Sequence, residues 1–312
     1  MATSNIETIP VTDRAQWLAL RMQDVTASDI AAACGVSPYK TPLRLYAEKT
    51  GAIMDAPDNA VLRRGRWLEP AGLYALQEVC PTWTVRKANV YLRDPALRIG
   101  ATPDFVAEIP EKPGLTNIQM KTVAARVFND WRDENGEVQV PLHYQLQALT
   151  EAKLMGAEHA ILLAFITGEF TCEICMIDVP LHEAAWERIK GDVAHFWRCV
   201  EAGTPPAIMP DKDGKTLREV YKKESGEVLD LSSDNQLPLL LAERAAAMER
   251  IKADEAFKSQ VEAEVMARLK DASVASLPGW SITWKTQTTK EYTVAARESR
   301  VLRITKQKEK SA

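Results

Sequence analysis

Asp104, Gln119 and Lys121 are the residues whose types and spacing first suggest chemistry. Asp104 follows a proline in "ATPDF", and Lys121 stands between short apolar runs in "NIQMKTV". Hydrolysis of a phosphodiester by a divalent metal needs the ion to polarise the phosphate and to make hydroxide from bound water. Magnesium is held by one or two carboxylates, often with a backbone carbonyl, while water and substrate oxygens fill the remaining positions. An aspartate at one strand end and an acid on the neighbouring strand supply that set. A lysine two residues beyond the acid leaves the strand on the same side and can orient the attacking water. Here the second position is Gln119, and Met120 faces the other way with its backbone carbonyl available. Taken alone, this spacing is read more simply as an ordinary polar strand end.

The elements that must position these residues can be read from pattern. "DRAQWLALRMQ" and "TASDIAAACG" have helical spacing, the second ending at Gly35. "TPLRLYAEKTG" is a helix with Pro42 in its first turn and Gly51 past its end. "GRWLEPAGLYALQEVC" is a longer helix that tolerates Pro70 near its start. Strands are expected in "TWTVRKANVYLR", "RIGATPDFVAE" and, after the turn "EKPG", in "LTNIQMKTV". A polar loop follows, with Trp131 expected to tuck back onto the domain rather than to stack on a ligand. The helix "PLHYQLQALTEAKLMG" ends at Gly156, and "HAILLAFI" and "FTCEICMIDV" form a hairpin. An amphipathic helix, "HEAAWERIKGDVAHFWRCVEAG", closes the unit. This order predicts an α/β sandwich around a mixed sheet.

Composition bounds the function. The chain has 312 residues, 46% of them apolar and 26% charged, with a formal net charge of −4. That balance excludes attachment to nucleic acid by bulk charge but permits a local basic patch, such as Arg63, Arg64 and Arg66. No apolar run is long enough for a membrane span, and the N-terminus lacks signal-peptide layout, so a cytoplasmic location is expected. The five cysteines are scattered and imply reduced thiols. Cys172 and Cys175 form a CxxC pair, but residues three apart on a strand face opposite ways, which argues against a shared metal. There is no Gly-rich phosphate loop and no nucleophile elbow.

The segments "TASDI…GVSPYKTPL…EKTG", "RGRWLEP", "ATPDF", "QMKT" and "PLHYQLQALTEAKLMG" occur in one order over roughly residues 14–203. Together they resemble the lambda-exonuclease/YqaJ family of phage-type recombination nucleases, of the PD-(D/E)XK superfamily. The resemblance implies an α/β restriction-endonuclease-like core. It implies that Asp104 binds metal, with the Gln119 side chain and the Met120 carbonyl, and that Lys121 is the catalytic lysine. Glu69 matches a helical acid beside the metal site, and Gln147 a glutamine on the following helix, with Tyr144 one turn before it. Arg21 and Ser28 match positions that hold a 5′-terminal phosphate, and Thr102 a hydroxyl residue lining the same pocket. A guanidinium with hydroxyls near a helix start suits a phosphate. The implied cofactor is Mg²⁺, with Mn²⁺ as a substitute. The implied partners are double-stranded DNA ends, a single-strand annealing recombinase and further copies of the chain in a trimeric ring, in a bacterial or phage-infected cell. The implied reaction is 5′ to 3′ resection of linear duplex.

The departure is Gln119, where the family has an acid. Either the site is weakened or inactivated, or Glu69 or another nearby acid supplies the missing charge, with Glu108, four residues past Asp104, a more distant stand-in. Otherwise the chain is a DNA-end-binding protein that does not cut; a structure-selective endonuclease is a further reading. The expected division is an N-terminal segment over 1–13, a nuclease core over 14–203, a Pro-rich linker over 204–215 and an extension over 216–312. The extension is read as a helix with an apolar stripe (Leu241, Met248, Ile251, Val265), a short β-hairpin around Trp280, Ile282 and Trp284, and a charged tail, "RITKQKEKSA".

Overall fold

The computed structural model describes residues 5–54 and 59–291, together with 293, 296 and 298–305; the end of the charged tail and residues 1–4 lie outside them. The chain divides into two compact units, meeting in sequence between Tyr221 and Lys222.

The first unit opens with β1 (Glu7–Pro10), α1 (Arg14–Gln23), β2 (Val25–Thr26), α2 (Ile30–Ala33) and α3 (Pro42–Lys49). Next come α4 (Ala60–Val79), β3 (Thr84–Lys87), β4 (Val90–Asp94), β5 (Ile99–Ala101), β6 (Phe105–Ile109), β7 (Lys112–Ala124) and α5 (Ala125–Asn129). It closes with α6 (Leu142–Met155), β8 (His159–Thr167), β9 (Cys172–Asp178), α7 (Glu183–Glu201) and α8 (Gly214–Val220). Local chemistry sets the helix ends. Asp13, Thr41 and Asn59 each accept from backbone N–H groups of the first turn, relieving donors that have no partner within the helix. Gly156 closes α6 at φ +70°, a conformation that glycine enters at low cost.

The central sheet has the order β3-β6-β7-β8-β9. Only β7 and β8 run parallel, joined through α6, and the other pairs are antiparallel. This is the mixed sheet flanked by helices that the pattern predicts. Alternation along β7 assigns its faces. Ile118 and Met120 pack with Leu76 of α4, while Ala148 and Ala152 of α6 pack with Ala160, Leu162 and Ala164 of β8. Contact with α4 is close: a Cβ on Gly72 would lie 2.3 Å from Met120 Sδ.

A second sheet has the order β1-β4-β5-β2, and it corrects the strand reading. Each of the two long strands expected before β7 is broken. The first splits into β3 and β4 at Ala88 and Asn89, the latter at φ +53°. The second splits into β5 and β6 at Thr102, Pro103 and Asp104, where proline cannot donate to a ladder. The Ala88 N–H donates to the Asp104 carbonyl at 3.1 Å, joining the two breaks. β1, within the segment 1–13, pairs with β4.

Trp131 is buried and stacks with Phe128 and Tyr144. Cys172 and Cys175 lie on β9 as free thiols. The Pro-rich stretch from 204 leads into α8, and the first unit continues to Tyr221. Buried Asp213 accepts from Thr41 Oγ1 at 2.5 Å and from the Met209 N–H at 2.7 Å, and Arg44 pairs with Glu219. These contacts tie α8 to α3. Among the described residues no helix is long and apolar enough to cross a membrane.

The second unit contains α9 (Leu237–Leu269) and an antiparallel hairpin of β10 (Val274–Leu277) and β11 (Trp280–Thr283). Met248 and Ile251 of the stripe are exposed, as are Trp280 and Trp284.

Asp213→Ala should leave the Thr41 hydroxyl and the Met209 N–H without their acceptor, at a cost of about 1–3 kcal/mol. Thermal unfolding should show a lower Tm for this variant, whereas Lys215→Ala on the exposed side of α8 should unfold like the parent.

Candidate active site

Asp104 sits at the break between the sheets, immediately before β6, and points toward β7. Its Oδ2 accepts from Gln119 Nε2 at 2.6 Å and from the Met120 N–H at 2.8 Å. Gln119 Nε2 also donates to the Met120 carbonyl at 3.2 Å. The amide NH₂ thus bridges two oxygens expected to hold metal, while Gln119 Oε1 is buried without a hydrogen-bond partner. Glu69 of α4 pairs with Lys87 at 2.6 Å, and its charge acts on Asp104.

On the α6 side, Lys121 Nζ donates to Gln147 Oε1 at 2.9 Å and lies 5.1 Å from the centroid of the Tyr144 ring. Gln147 Nε2 donates to Glu151 Oε1 at 2.9 Å. Asn117 Nδ2 donates to Glu151 Oε2 at 3.3 Å and to the Ala148 carbonyl at 3.2 Å. Asn117, Gln119 and Lys121 alternate along β7, so they share the face toward α6. Gln147 and Glu151, four apart on α6, share the face toward β7.

Burial dominates the electrostatics here. It pushes the Asp104 carboxyl up, opposed by Lys121 and by the Met120 N–H, with Glu69 adding to the rise. It pushes Glu151 up as well, and the charge on Asp104 adds to this, against Lys121 and the amides of Gln147 and Asn117. It pushes the Lys121 ammonium down, opposed by Asp104 and Glu151.

The expected phosphate residues form a second cluster. Arg21 Nη1 donates to Ser28 Oγ at 3.4 Å and Arg21 Nη2 pairs with Asp29 at 3.2 Å. The Arg21 guanidinium lies 4.6 Å from the Trp17 ring centroid. Trp17 Nε1 donates to Thr102 Oγ1 at 3.1 Å, which ties Thr102 to Arg21 and Ser28. Lys40 Nζ reaches Asp29 at 2.9 Å and Glu48 at 2.6 Å. Against burial, which raises it, Lys40, Arg21 and Lys49 hold the Asp29 carboxyl well below the usual range.

The structure therefore brings together Asp104, Gln119, Met120, Lys121, Tyr144 and Gln147, with Glu69 beside them, and groups Arg21, Ser28 and Thr102. Glu108 is not part of either group. It is exposed opposite Leu115 at the far end of β6, four residues or about 13 Å along the strand from Asp104. Of the arginines at 63, 64 and 66, Arg64 donates to Thr167 Oγ1. Glu151, Asn117, Asp29, Lys40 and Trp17 were not foreseen. The spacing of Gln147 and Glu151 signalled a shared helix face; nothing in "SPYKTP" signalled the return of Lys40 to Asp29. Among the described residues no group of three or more His, Cys, Asp or Glu side chains is placed to hold a metal.

Comparison with known proteins shows what the chain is similar to. Residues 16–158 match the YqaJ-like viral recombinase domain. The chain is 25% identical to the Bacillus subtilis protein YqaJ over 293 residues, covering 87% of this chain and 83% of that one. Solved structures similar to it include an alkaline exonuclease from Laribacter hongkongensis, at 19% identity and a TM-score of 0.48, over 61% of this chain and 94% of that one. Another is a phage-related exonuclease from Haemophilus somnus, at 12% identity and a TM-score of 0.45, over 57% of this chain and 94% of that one.

Raised carboxyl pKa values mean that the folded state binds protons more tightly than the unfolded chain. Their contribution is full below the unfolded pKa and is lost as pH rises through the folded value. Without divalent ions, the two carboxyls should therefore make stability fall as pH rises from about 5 to about 9, opposed by Lys121, whose ammonium burial pushes down. Asp29, with its depressed pKa, contributes a constant term in that window. Urea unfolding across the window should show a flatter dependence for Glu151→Gln.

Proposed function

From a chain whose residues 16–158 carry the YqaJ-like viral recombinase domain, we propose a Mg²⁺-dependent DNA exonuclease. It enters linear duplex at ends bearing a 5′ phosphate and resects 5′ to 3′, leaving 3′ single strands for an annealing recombinase. The observation that carries this reading is the placement of Thr102 and Asp104. They are two residues apart at the break between the sheets, and each belongs to a different cluster: Thr102 to the group around Arg21, Asp104 to the group around Lys121. A terminal phosphate held in the first group sets the adjoining backbone beside the second.

The donor set suits a hard cation. Asp104, the Gln119 amide oxygen and the Met120 carbonyl are oxygen ligands of the kind that take Mg²⁺, with Mn²⁺ as a substitute. As oriented, the Gln119 NH₂ faces the Asp104 and Met120 oxygens, so the amide must turn over to bring Oε1, now buried without a partner, to a cation they share. When bound there, the ion polarises the phosphate and acidifies water. Lys121, held by Gln147, orients the attacking water and is placed to exchange a proton with it. Arg21 supplies charge-assisted donors to the terminal phosphate, with the Ser28 and Thr102 hydroxyls beside it. Gln119 lacks the formal charge of an acid, which lowers metal affinity and weakens the reaction. By the same resemblance a ring trimer would keep the enzyme on its substrate.

A second reading, end binding without cleavage, has its own support: Gln119 Nε2 already engages Asp104 Oδ2 and the Met120 carbonyl. Digestion separates the two. In Mg²⁺ the protein should degrade 5′-phosphorylated duplex about tenfold faster than 5′-hydroxyl duplex. Arg21→Ala should erase that preference, and Asp104→Ala should abolish digestion. Binding of ends without any cutting, by a protein in which Gln119→Glu does cut, replaces the first reading with the second.

Gln119→Glu also sets two carboxylates where a 2.6 Å hydrogen bond stood. In EDTA its Tm should fall by about 4–8 °C for a loss of about 2 kcal/mol. Mg²⁺ should restore it, and the same addition should raise the Tm of the Gln119 protein by less.

A further inference from the structure

Glu151 is a buried carboxyl to which the proposed reaction assigns nothing. It is 1% exposed, on the turn of α6 after Gln147. Burying a carboxylate costs several kcal/mol unless its oxygens are well served. Here Oε1 accepts from Gln147 and Oε2 from Asn117. Both contacts are from amide NH₂ groups, which favour the ionised form that burial disfavours.

The direction of this chain of hydrogen bonds is set by its ends. Lys121 can only donate, and an ionised Glu151 can only accept. Gln147 lies between them with its oxygen toward the ammonium and its NH₂ toward the carboxylate. Reversing that amide would place NH₂ against ammonium and a carbonyl against a carboxylate. Gln147 therefore acts as an aligned dipole between opposite charges, and Asn117 anchors the acid to the strand that carries Gln119 and Lys121.

We propose that Glu151 is a positioning residue of this site: by accepting from Gln147 it locks the amide that holds Lys121, and it returns to the α6 side of β7 a negative charge that Gln119 does not carry. The role of Lys121 in catalysis rests on the nuclease reading; the relay is a feature of the fold and can be tested apart from it.

The experiment uses the full chain at pH 9, because burial and Asp104 push the Glu151 carboxyl up. Four proteins are compared: the parent, Glu151→Gln, Gln147→Glu and the double variant. Gln147→Glu gives Lys121 a carboxylate acceptor directly, so it should make Glu151 dispensable. Two readouts are taken, digestion of 5′-phosphorylated duplex in Mg²⁺ and the ¹³Cε resonance of Lys121, assigned by its loss in Lys121→Met.

Glu151→Gln should lower kcat at least tenfold with KM for DNA ends unchanged and should move the Lys121 resonance. The double variant should recover both toward the values of Gln147→Glu. An unmoved resonance in folded Glu151→Gln overturns the proposal, whatever the activity. So does a loss of activity that Gln147→Glu fails to rescue, which is the mark of a merely structural role. If Glu151→Gln does not fold, Gln147→Met cuts the relay with Glu151 intact, and it must displace the resonance for the proposal to stand. If no protein, the parent included, cuts DNA while the resonance moves and returns as described, the relay stands and the nuclease reading falls.

Discussion

The alternation of side chains along β7 is the constraint on which the site depends. Strand geometry sends Ile118 and Met120 toward α4 and leaves Asn117, Gln119 and Lys121 to face α6. The apolar pair anchors the strand in the core beneath α4, while the polar triplet must find every partner on the other side. Asp104 meets the strand at Gln119 and the Met120 N–H, and α6 meets it at Asn117 and Lys121. A shift of one residue in register would turn the polar triplet into the α4 interface and the apolar pair toward the acids.

Ionisable groups are concentrated where the fold can least hydrate them. Asp104, Lys121 and Glu151 shift one another, with burial as the first cause in each case. Amide side chains mediate between them. Gln119 serves Asp104, and Gln147 and Asn117 serve Glu151. The amides of Asn117 and Gln119 turn their NH₂ groups to a carboxylate and leave their oxygens without donors. In the neighbouring cluster the balance is reversed: Lys40 and Arg21 surround Asp29 directly, and its carboxyl stays ionised against the same burial.

The break at Thr102, Pro103 and Asp104 connects these two environments. A continuous strand would have carried Thr102 and Asp104 on one face of one sheet. Interrupted by a proline, the chain passes from β5 in one sheet to β6 in the other. Thr102 is left with Trp17 and Asp104 with Gln119. Two residues of sequence thus span the distance between the Arg21–Asp29 cluster and the Asp104–Lys121 cluster.

Local geometry was legible in the sequence. The period of a strand put Gln119 and Lys121 on one face, Pro42, Gly51 and Gly156 marked helix ends, and two apolar runs marked the hairpin of β8 and β9. Residue types then suggested Asp104 and Lys121, and segment order a resemblance to the YqaJ-like domain that residues 16–158 match. The broken strands were not legible, because Ala88–Asn89 and Thr102–Pro103 interrupt pairing only when two separate sheets compete for the flanking residues. Glu108 shares a strand face with Asp104, but it lies opposite Leu115 at the far end of β6. Glu151 and Lys40 were decided only by tertiary structure. Spacing showed that Glu151 shares a helix face with Gln147, but which strand that face covers follows from packing α6 across the sheet face over β7 and β8. Sequence alone determines what each segment can offer, since helix and strand periods are local; which offers meet depends on contacts between segments far apart in the chain.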